Sequence, residues 1–406
     1  MSKRAVLWVA FVLVHGAVAV LGFVEPNQPM GDVYMVYEPW SARAVTGLGV
    51  VGITENWVYP ALALVPLLLT HALAPLFGWY VIAWAVVVTA VDAAAFALLI
   101  GRGRSQGRAM AAWFWLVFIL ALGPVGMYRL DAITVPVAVA GCLWLLSRPW
   151  VAALLLAAAT WIKVWPAALL LAAVVATRRR LALLGGAAAL STIVVAVVVA
   201  VGGAAHLFGF VFDQTERGLQ IEAPVSAFWL WRAALGAADS RVYYDDEILT
   251  WQVAGPGVSA VSDAMTPVLV AAVTVVTLVG AVRVRRGIPF LRVFPALALS
   301  LVLVFIVTNK VGSPQYLTWI IAPLVVGLVL DRERWWSPAC LGLVTAALTH
   351  LVYPLWYGRV LGGDPIAVGA LTLRNLLLVA LLVWSVALLA RTPRRAPAPA
   401  VVDALT

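Results

Sequence analysis

Apolar runs of about 20 residues recur along this chain, and no other feature restricts its fold as much. They fall near 5–23, 109–127, 130–147, 181–201, 264–282, 288–308, 314–330, 338–357 and 366–390. Each can cross the hydrocarbon of a bilayer, where a backbone without water must close its own hydrogen bonds as helix. Residues 1–390 therefore read as one all-α polytopic membrane domain of roughly 10–13 transmembrane helices. Composition excludes the soluble alternative. Of the 406 residues, 64% are hydrophobic and 11% charged, giving a mean hydropathy of +1.02, more apolar surface than a soluble core absorbs.

The net charge of +9, from 27 basic and 18 acidic residues, is not a nucleic-acid signature. The arginines punctuate the runs at Ser2–Arg4, Arg102–Arg108, Arg148, Arg178–Arg180, Arg283–Arg286, Asp331–Arg334 and Arg391–Arg395. Short basic loops of this kind face the cytoplasm, which predicts a multi-pass protein of the cytoplasmic membrane. The alternate loops then face outward, and they carry the unusual polar residues. These are GDVYMVYEPW (Gly31–Trp40), MYRLD (Met127–Asp131), WIKVW (Trp161–Trp165), QTERGLQIEAP (Gln214–Pro224), TNKVGSPQY (Thr308–Tyr316) and YPLWYGR (Tyr353–Arg359). Two outer loops, 24–57 and 203–263, are long enough for short helices of their own. The Pro/Ala-rich tail, 391–406, reads as a disordered cytoplasmic end.

Three segments complicate the pattern. The first run has a basic start and reads as an uncleaved span; a cleaved signal peptide, cut near Ala17-Val18-Ala19, is the rival reading. Pro149–Ala176 is too short for two full crossings and has Lys163 in its middle, so it reads as a kinked hairpin turned at Pro166. Val58–Ile100 has the length of two spans, which would put Arg102–Arg108 on the outer side. Either a re-entrant piece starts at Tyr59-Pro60, or the charge rule fails at that loop.

The polar motifs admit both bland and chemical readings. In the first, Val33, Val36, Tyr37 and Trp40 share a helical face, with Asp32 at its flank behind Gly31 and Glu38 pointing away. Asp32 can cap a short helix that ends near Pro39, or act as a general base. Lys163 and Lys310 either snorkel to headgroups or meet an anion in a cavity. Arg217 belongs to a hydrated amphipathic helix or clamps a phosphate with its planar fork. Gln315 and Tyr316 open a span behind Pro314, where they suit a sugar hydroxyl, while Arg129 and Asp131 can form a local ion pair at a hairpin tip. Cys142 and Cys340 lie in apolar runs, and His206 and His350 lack ligand spacing, so nothing calls for a disulfide, a metal or a cofactor. No P-loop, dinucleotide fingerprint or serine-hydrolase elbow is present.

Taken in order, these motifs resemble those of the GT-C glycosyltransferases, and more narrowly glycosyltransferase family 87, the polyprenyl-phosphate-mannose-dependent mannosyltransferases of actinobacterial envelopes. The resemblance covers about residues 5–390. It is carried by GDVYMVYEPW, VYPALALVPLLL, WIKVWPAALLL, RGLQIE and SPQYLTWIIAPL, of which the last two are the more specific. The chain departs from the family at Tyr128–Thr134, where YRLDAIT replaces a Gly-Gln-x-Asn-like motif. The resemblance implies a GT-C-like bundle with a catalytic carboxylate in the first outer loop, at Asp32. It also implies inverting transfer from a lipid-linked sugar to a hydroxyl of an envelope glycolipid or glycan. In that scheme Lys163, Arg217 and Lys310 bind the donor phosphate. Tyr37, Glu38, Tyr59, Arg129, Asp131, Gln220, Glu222, Gln315 and Tyr316 shape the sugar and acceptor pocket. A departing polyprenyl phosphate needs no general acid, so one base and a few cations would suffice. Two alternatives keep the cavity: transfer of arabinofuranose or glucose, and a flippase that moves the lipid-linked sugar without transferring it. A transporter would show internal pseudo-symmetry and midplane charges; the sequence has no strong repeat, and its polar motifs gather on one face.

Overall fold

The structure is a computed structural model that describes residues 2–211 and 217–391. It is an all-α polytopic membrane protein. Among the described residues, eight helices are long and apolar enough to cross a membrane. In chain order the helices are α1 (Lys3–Val24), α2 (Glu38–Thr46), α3 (Leu64–Phe77), α4 (Tyr80–Ile100), α5 (Gln106–Leu122), α6 (Asp131–Leu143), α7 (Pro149–Ile162) and α8 (Ala167–Ala176). There follow α9 (Arg180–Ala200), α10 (Ala227–Ala234), α11 (Val258–Arg285), α12 (Phe290–Val307), α13 (Ile321–Leu330), α14 (Arg332–His350), α15 (Tyr357–Leu361) and α16 (Pro365–Ala390).

The arginine loops gather at one end of the bundle. Gly103 packs against Arg4, Arg332 bonds Gln106, Arg334 Nη2 donates to Leu388 O at 2.8 Å, and Arg179 Nη1 donates to Leu146 O at 3.1 Å. This geometry explains the 58–100 segment. α4 ends beside Arg4, and its other end, at Trp79, stacks 6.5 Å from Phe23 at the far end of α1. One helix thus covers the whole distance. α3 begins and ends at that far end, pinned to α4 by Tyr80 Oη donating to Leu67 O. It is the re-entrant piece, and Arg102–Arg108 lies with the other basic loops. Midway along, His15 Nε2 meets Asp92 Oδ2 at 3.0 Å, which fixes the register of α1 against α4.

Several sequence boundaries move. The run at 264–282 belongs to a helix that starts at Val258, so the second long loop ends before 263. That loop holds the short α10 and also a two-stranded antiparallel ribbon, β1 (Arg241–Asp245) with β2 (Thr250–Ala254), paired Arg241 to Ala254 through Asp245 to Thr250. Arg217–Glu222 is not an amphipathic helix: it runs without helix to Gln220, which is bridged to Gln252 of β2, and then turns at Ile221–Glu222. Gln214–Glu216 of that motif and the tail beyond Arg391 lie outside the described residues.

Short helices shape the site. α6, α7 and α8 have 13, 14 and 10 residues, about 15–21 Å of helix against a hydrocarbon about 30 Å thick. Their basic ends are level with the long helices, so their other ends stop short and leave a hollow. The α7–α8 hairpin turns as the sequence predicts: Lys163 is extended and caps α7, and Pro166 opens α8.

Candidate active site

A cavity of about 1100 Å³ occupies that hollow. Segments far apart in sequence supply its polar lining, among them Asp32, Arg129, Lys163, Arg217, Lys310 and Gln315. Tyr37, Tyr59, Gln220, Glu222 and Tyr316 also reach it. Asp131 and Glu38 do not. Asp131 is fully buried beneath the floor, and Glu38 faces a separate cavity of about 590 Å³ with His71 and Trp79.

Asp32 is not an N-cap. It is the first residue of a wide, π-helical turn, Asp32–Tyr37, capped by Gly31 without any side-chain bond. Nor does Pro39 end the helix; it sits in the first turn of α2, directly behind the wide turn. The Asp32 carboxylate is 36% exposed and lies 3.2 Å from Arg129 Nε. Arg129 is itself locked: Nη1 donates to Pro29 O at 2.6 Å and Tyr128 O at 2.8 Å, and Nη2 to Tyr353 Oη at 3.2 Å. Burial pulls the guanidinium's pKa down, but Asp32, Tyr353 and Tyr37 outweigh it, and the net shift is upward. Arg129 is thus a permanent cation that aims Asp32 into the cavity. Burial and then the Asp32 charge push the Tyr59 phenol well up, so the opposing wall stays neutral.

The expected pairing of Arg129 with Asp131 does not occur. Asp131 instead accepts from Lys163 Nζ at 2.6 Å and Trp319 Nε1 at 2.5 Å. Trp319 stacks on Tyr316 at 4.1 Å and Trp165 at 5.7 Å. Lys163 Nζ is 5.5 Å from the ring centres of both Tyr59 and Tyr316. Lys163 is therefore neither snorkelling nor a bare cation: Asp131 holds it from beneath, with its upper side open to the cavity.

The two motifs most specific to the family resemblance fold against each other. A Cβ on Gly312 would lie 2.3 Å from the Glu222 and Ala223 backbone, so only glycine allows the two loops to touch. Gln220 ties them together: its N–H donates to Lys310 O at 3.0 Å, and its Oε1 accepts from Gly312 N at 3.1 Å and Ser313 Oγ at 3.3 Å. Its side chain builds the wall more than it offers a contact. Arg217 turns into the same space, its buried Nε without a hydrogen-bond partner among the described residues. Burial lowers the Lys310 ammonium pKa; Asp263 opposes that shift and Arg217 adds to it. Two neighbouring cations in a partly dry wall form a place for an anion.

Several lining residues escaped the sequence reading. Tyr353 and Tyr357 belong to YPLWYGR, whose polar character was visible but whose role was not. Tyr244 and Trp251 come from the unforeseen ribbon. Arg374, 2% exposed in α16, donates to Glu222 O at 3.3 Å and Gly312 O at 3.4 Å; an arginine inside an apolar run was the available signal. His206 bonds Asn56 and His350 bonds Glu25. Among the described residues no cluster of three or more His, Cys, Asp or Glu forms.

No protein-family model matches this chain, and no curated protein matches its sequence. The chemistry of the cavity is therefore the basis for assigning a function.

Proposed function

We propose that the protein is an integral-membrane glycosyltransferase that moves a sugar, mannose, from a polyprenyl phosphate to a hydroxyl of an envelope glycolipid or glycan. One observation carries the reading: the carboxylate of Asp32, oriented by Arg129, shares one cavity with Lys163, Arg217 and Lys310 at the end of the bundle opposite the arginine loops. Under the positive-inside rule that end faces away from the cytoplasm. Asp32 accepts the proton of the acceptor hydroxyl; the hydroxyl oxygen bonds to the anomeric carbon from the face opposite the phosphate. The bond from that carbon to the phosphate oxygen breaks, and the configuration inverts. Lys163, Arg217 and Lys310 take up the charge that grows on the departing phosphate, where cations in a site shielded from water act most strongly.

The apolar flank supports a lipid-linked donor. Val164, Phe210, Val211, Met265, Leu269 and Phe305 line the same cavity, and Val164 and Val211 are 40% and 47% exposed. A chain of isoprene units can lie there while its phosphate meets the cations. The test is incubation of the protein in vesicles with radiolabelled polyprenyl-phosphate mannose, arabinofuranose or glucose and an envelope lipid extract. A labelled glycoside is expected, lost in Asp32→Asn by a factor of about 10²–10⁴. Full transfer by that variant would remove Asp32 from the mechanism, and translocation of the sugar without a new glycosidic bond would mark a flippase instead.

A further inference from the structure

Glu222 is 3% exposed and yet lines the cavity. Its Oε1 accepts from Tyr357 Oη at 2.8 Å, while its Oε2 is buried and has no hydrogen-bond partner among the described residues. A buried acceptor of that kind is a standing deficit until a donor arrives. The carboxylate is also held in place. Arg374 bonds the Glu222 carbonyl, Gly312 O and Thr349 Oγ1, so the loop cannot swing to satisfy Oε2 elsewhere. Aromatic rings share its cavity: Tyr353 and Tyr357 meet edge to face at 5.0 Å, and Tyr244 and Trp251 pack at 5.2 Å. All four belong to the cavity lining.

We propose that Glu222 and Tyr357 are the reading point of an acceptor subsite for a pyranoside with adjacent hydroxyls, whose C–H faces rest on Tyr244, Trp251 and Tyr353. The proposal rests on the transferase reading above and narrows its acceptor to a carbohydrate. Two hydroxyl donors suit a carboxylate with a free oxygen, and the apolar face of a sugar ring suits an aromatic platform. A cationic ligand is disfavoured, because Arg374 stands behind Glu222 and Arg129, Lys163, Arg217 and Lys310 share the cavity. The Tyr353–Tyr357 segment also links this subsite to the base. Arg129, which orients Asp32, donates to Tyr353 at one end, and Tyr357 donates to Glu222 at the other.

The test uses the full chain in lipid nanodiscs and saturation-transfer NMR with four probes: octyl mannoside, octyl glucoside, octyltrimethylammonium and farnesyl phosphate. The octyl pyranosides are expected to bind through their ring protons. Glu222→Gln should weaken that binding about 10-fold and Tyr357→Phe about 3-fold, both leaving farnesyl phosphate binding intact. Tyr357→Phe removes one hydroxyl and keeps the ring, so it decides the matter if the glutamine variant fails to fold. Pyranoside binding unchanged in Tyr357→Phe, or a preference for octyltrimethylammonium, would overturn the subsite. Farnesyl phosphate binding without pyranoside binding would sink the subsite and leave the transferase reading. Glu222-dependent pyranoside binding without transfer from any polyprenyl-phosphate sugar would do the reverse.

Discussion

Arg129 and Asp131 are two residues apart, yet each belongs to a different ion pair, and the pairs have opposite characters. Asp32–Arg129 leaves its carboxylate 36% exposed to the cavity, with only the guanidinium buried. Asp131–Lys163 hides its carboxylate completely and leaves the ammonium 11% exposed. In the first pair the buried partner is the cation, already satisfied by three other acceptors, so the carboxylate can take up a proton or bond a ligand. In the second, both Asp131 oxygens are occupied, and it is the lysine that faces outward. Two similar charge pairs thus divide the labour: one presents a carboxylate to the cavity, the other presents an ammonium. The buried partner sets the direction each time.

The sharpest way to break the comparison is to remove each carboxylate in turn. Asp32→Asn should abolish transfer while shifting stability by no more than about 1 kcal/mol, because asparagine keeps an acceptor for Arg129. Asp131→Ala should lower stability by about 3–5 kcal/mol, since it strands a buried lysine and an indole N–H. Thermal unfolding in detergent, read beside transfer activity, separates the two. Pairing Asp131→Ala with Lys163→Met should recover much of the lost stability, because a well-packed apolar pair is often as stable as a buried ion pair. If Lys163 meets the donor phosphate, that double variant stays inactive. Recovered activity would reduce Lys163 to a structural post.

The sequence made the all-α membrane fold legible because spans and arginine loops are read from composition over long windows, and what it left open or missed was local. α3 has the hydropathy of a span but returns to the end it started from, a matter of packing that no window detects. The ribbon at 241–254 was missed because alternation over five residues is weak beside so many longer apolar signals. At the site, the cations and Asp32 were legible as polar residues stranded among apolar ones. Their partners were not. Asp131 meets Lys163 across 32 positions and Trp319 across 188, and such pairings belong to the fold alone. Glu38 shows the converse. Six residues after Asp32, it points away from the shared apolar face as its spacing predicts and is turned toward His71 and the smaller cavity, outside the pocket that the resemblance implies for it.

That rotation gives a smaller effect to look for. Glu38→Gln should change transfer less than about 2-fold, against the loss expected at Asp32, because it lines a different space. A large loss would mean that the two cavities communicate through the Asp32–Tyr37 turn.

The smallest effect concerns pH and sharpens the contrast between Asp32 and the third carboxylate of the site. Burial raises the Glu222 pKa above the ordinary carboxylate range, with the Tyr357 bond and then Arg374 opposing. A folded state whose carboxyl holds its proton more tightly than the unfolded chain gains stability from that proton. The gain is complete below the unfolded pKa and is lost as pH rises through the folded one. Stability of the wild type should therefore fall as pH climbs out of the ordinary carboxylate range, and Glu222→Gln should flatten that slope by removing the titrating group. Unfolding midpoints across a pH series read the difference. Equal slopes would mean that folding does not shift the Glu222 pKa, because water already satisfies its free oxygen, and the argument for a waiting acceptor would lose its footing.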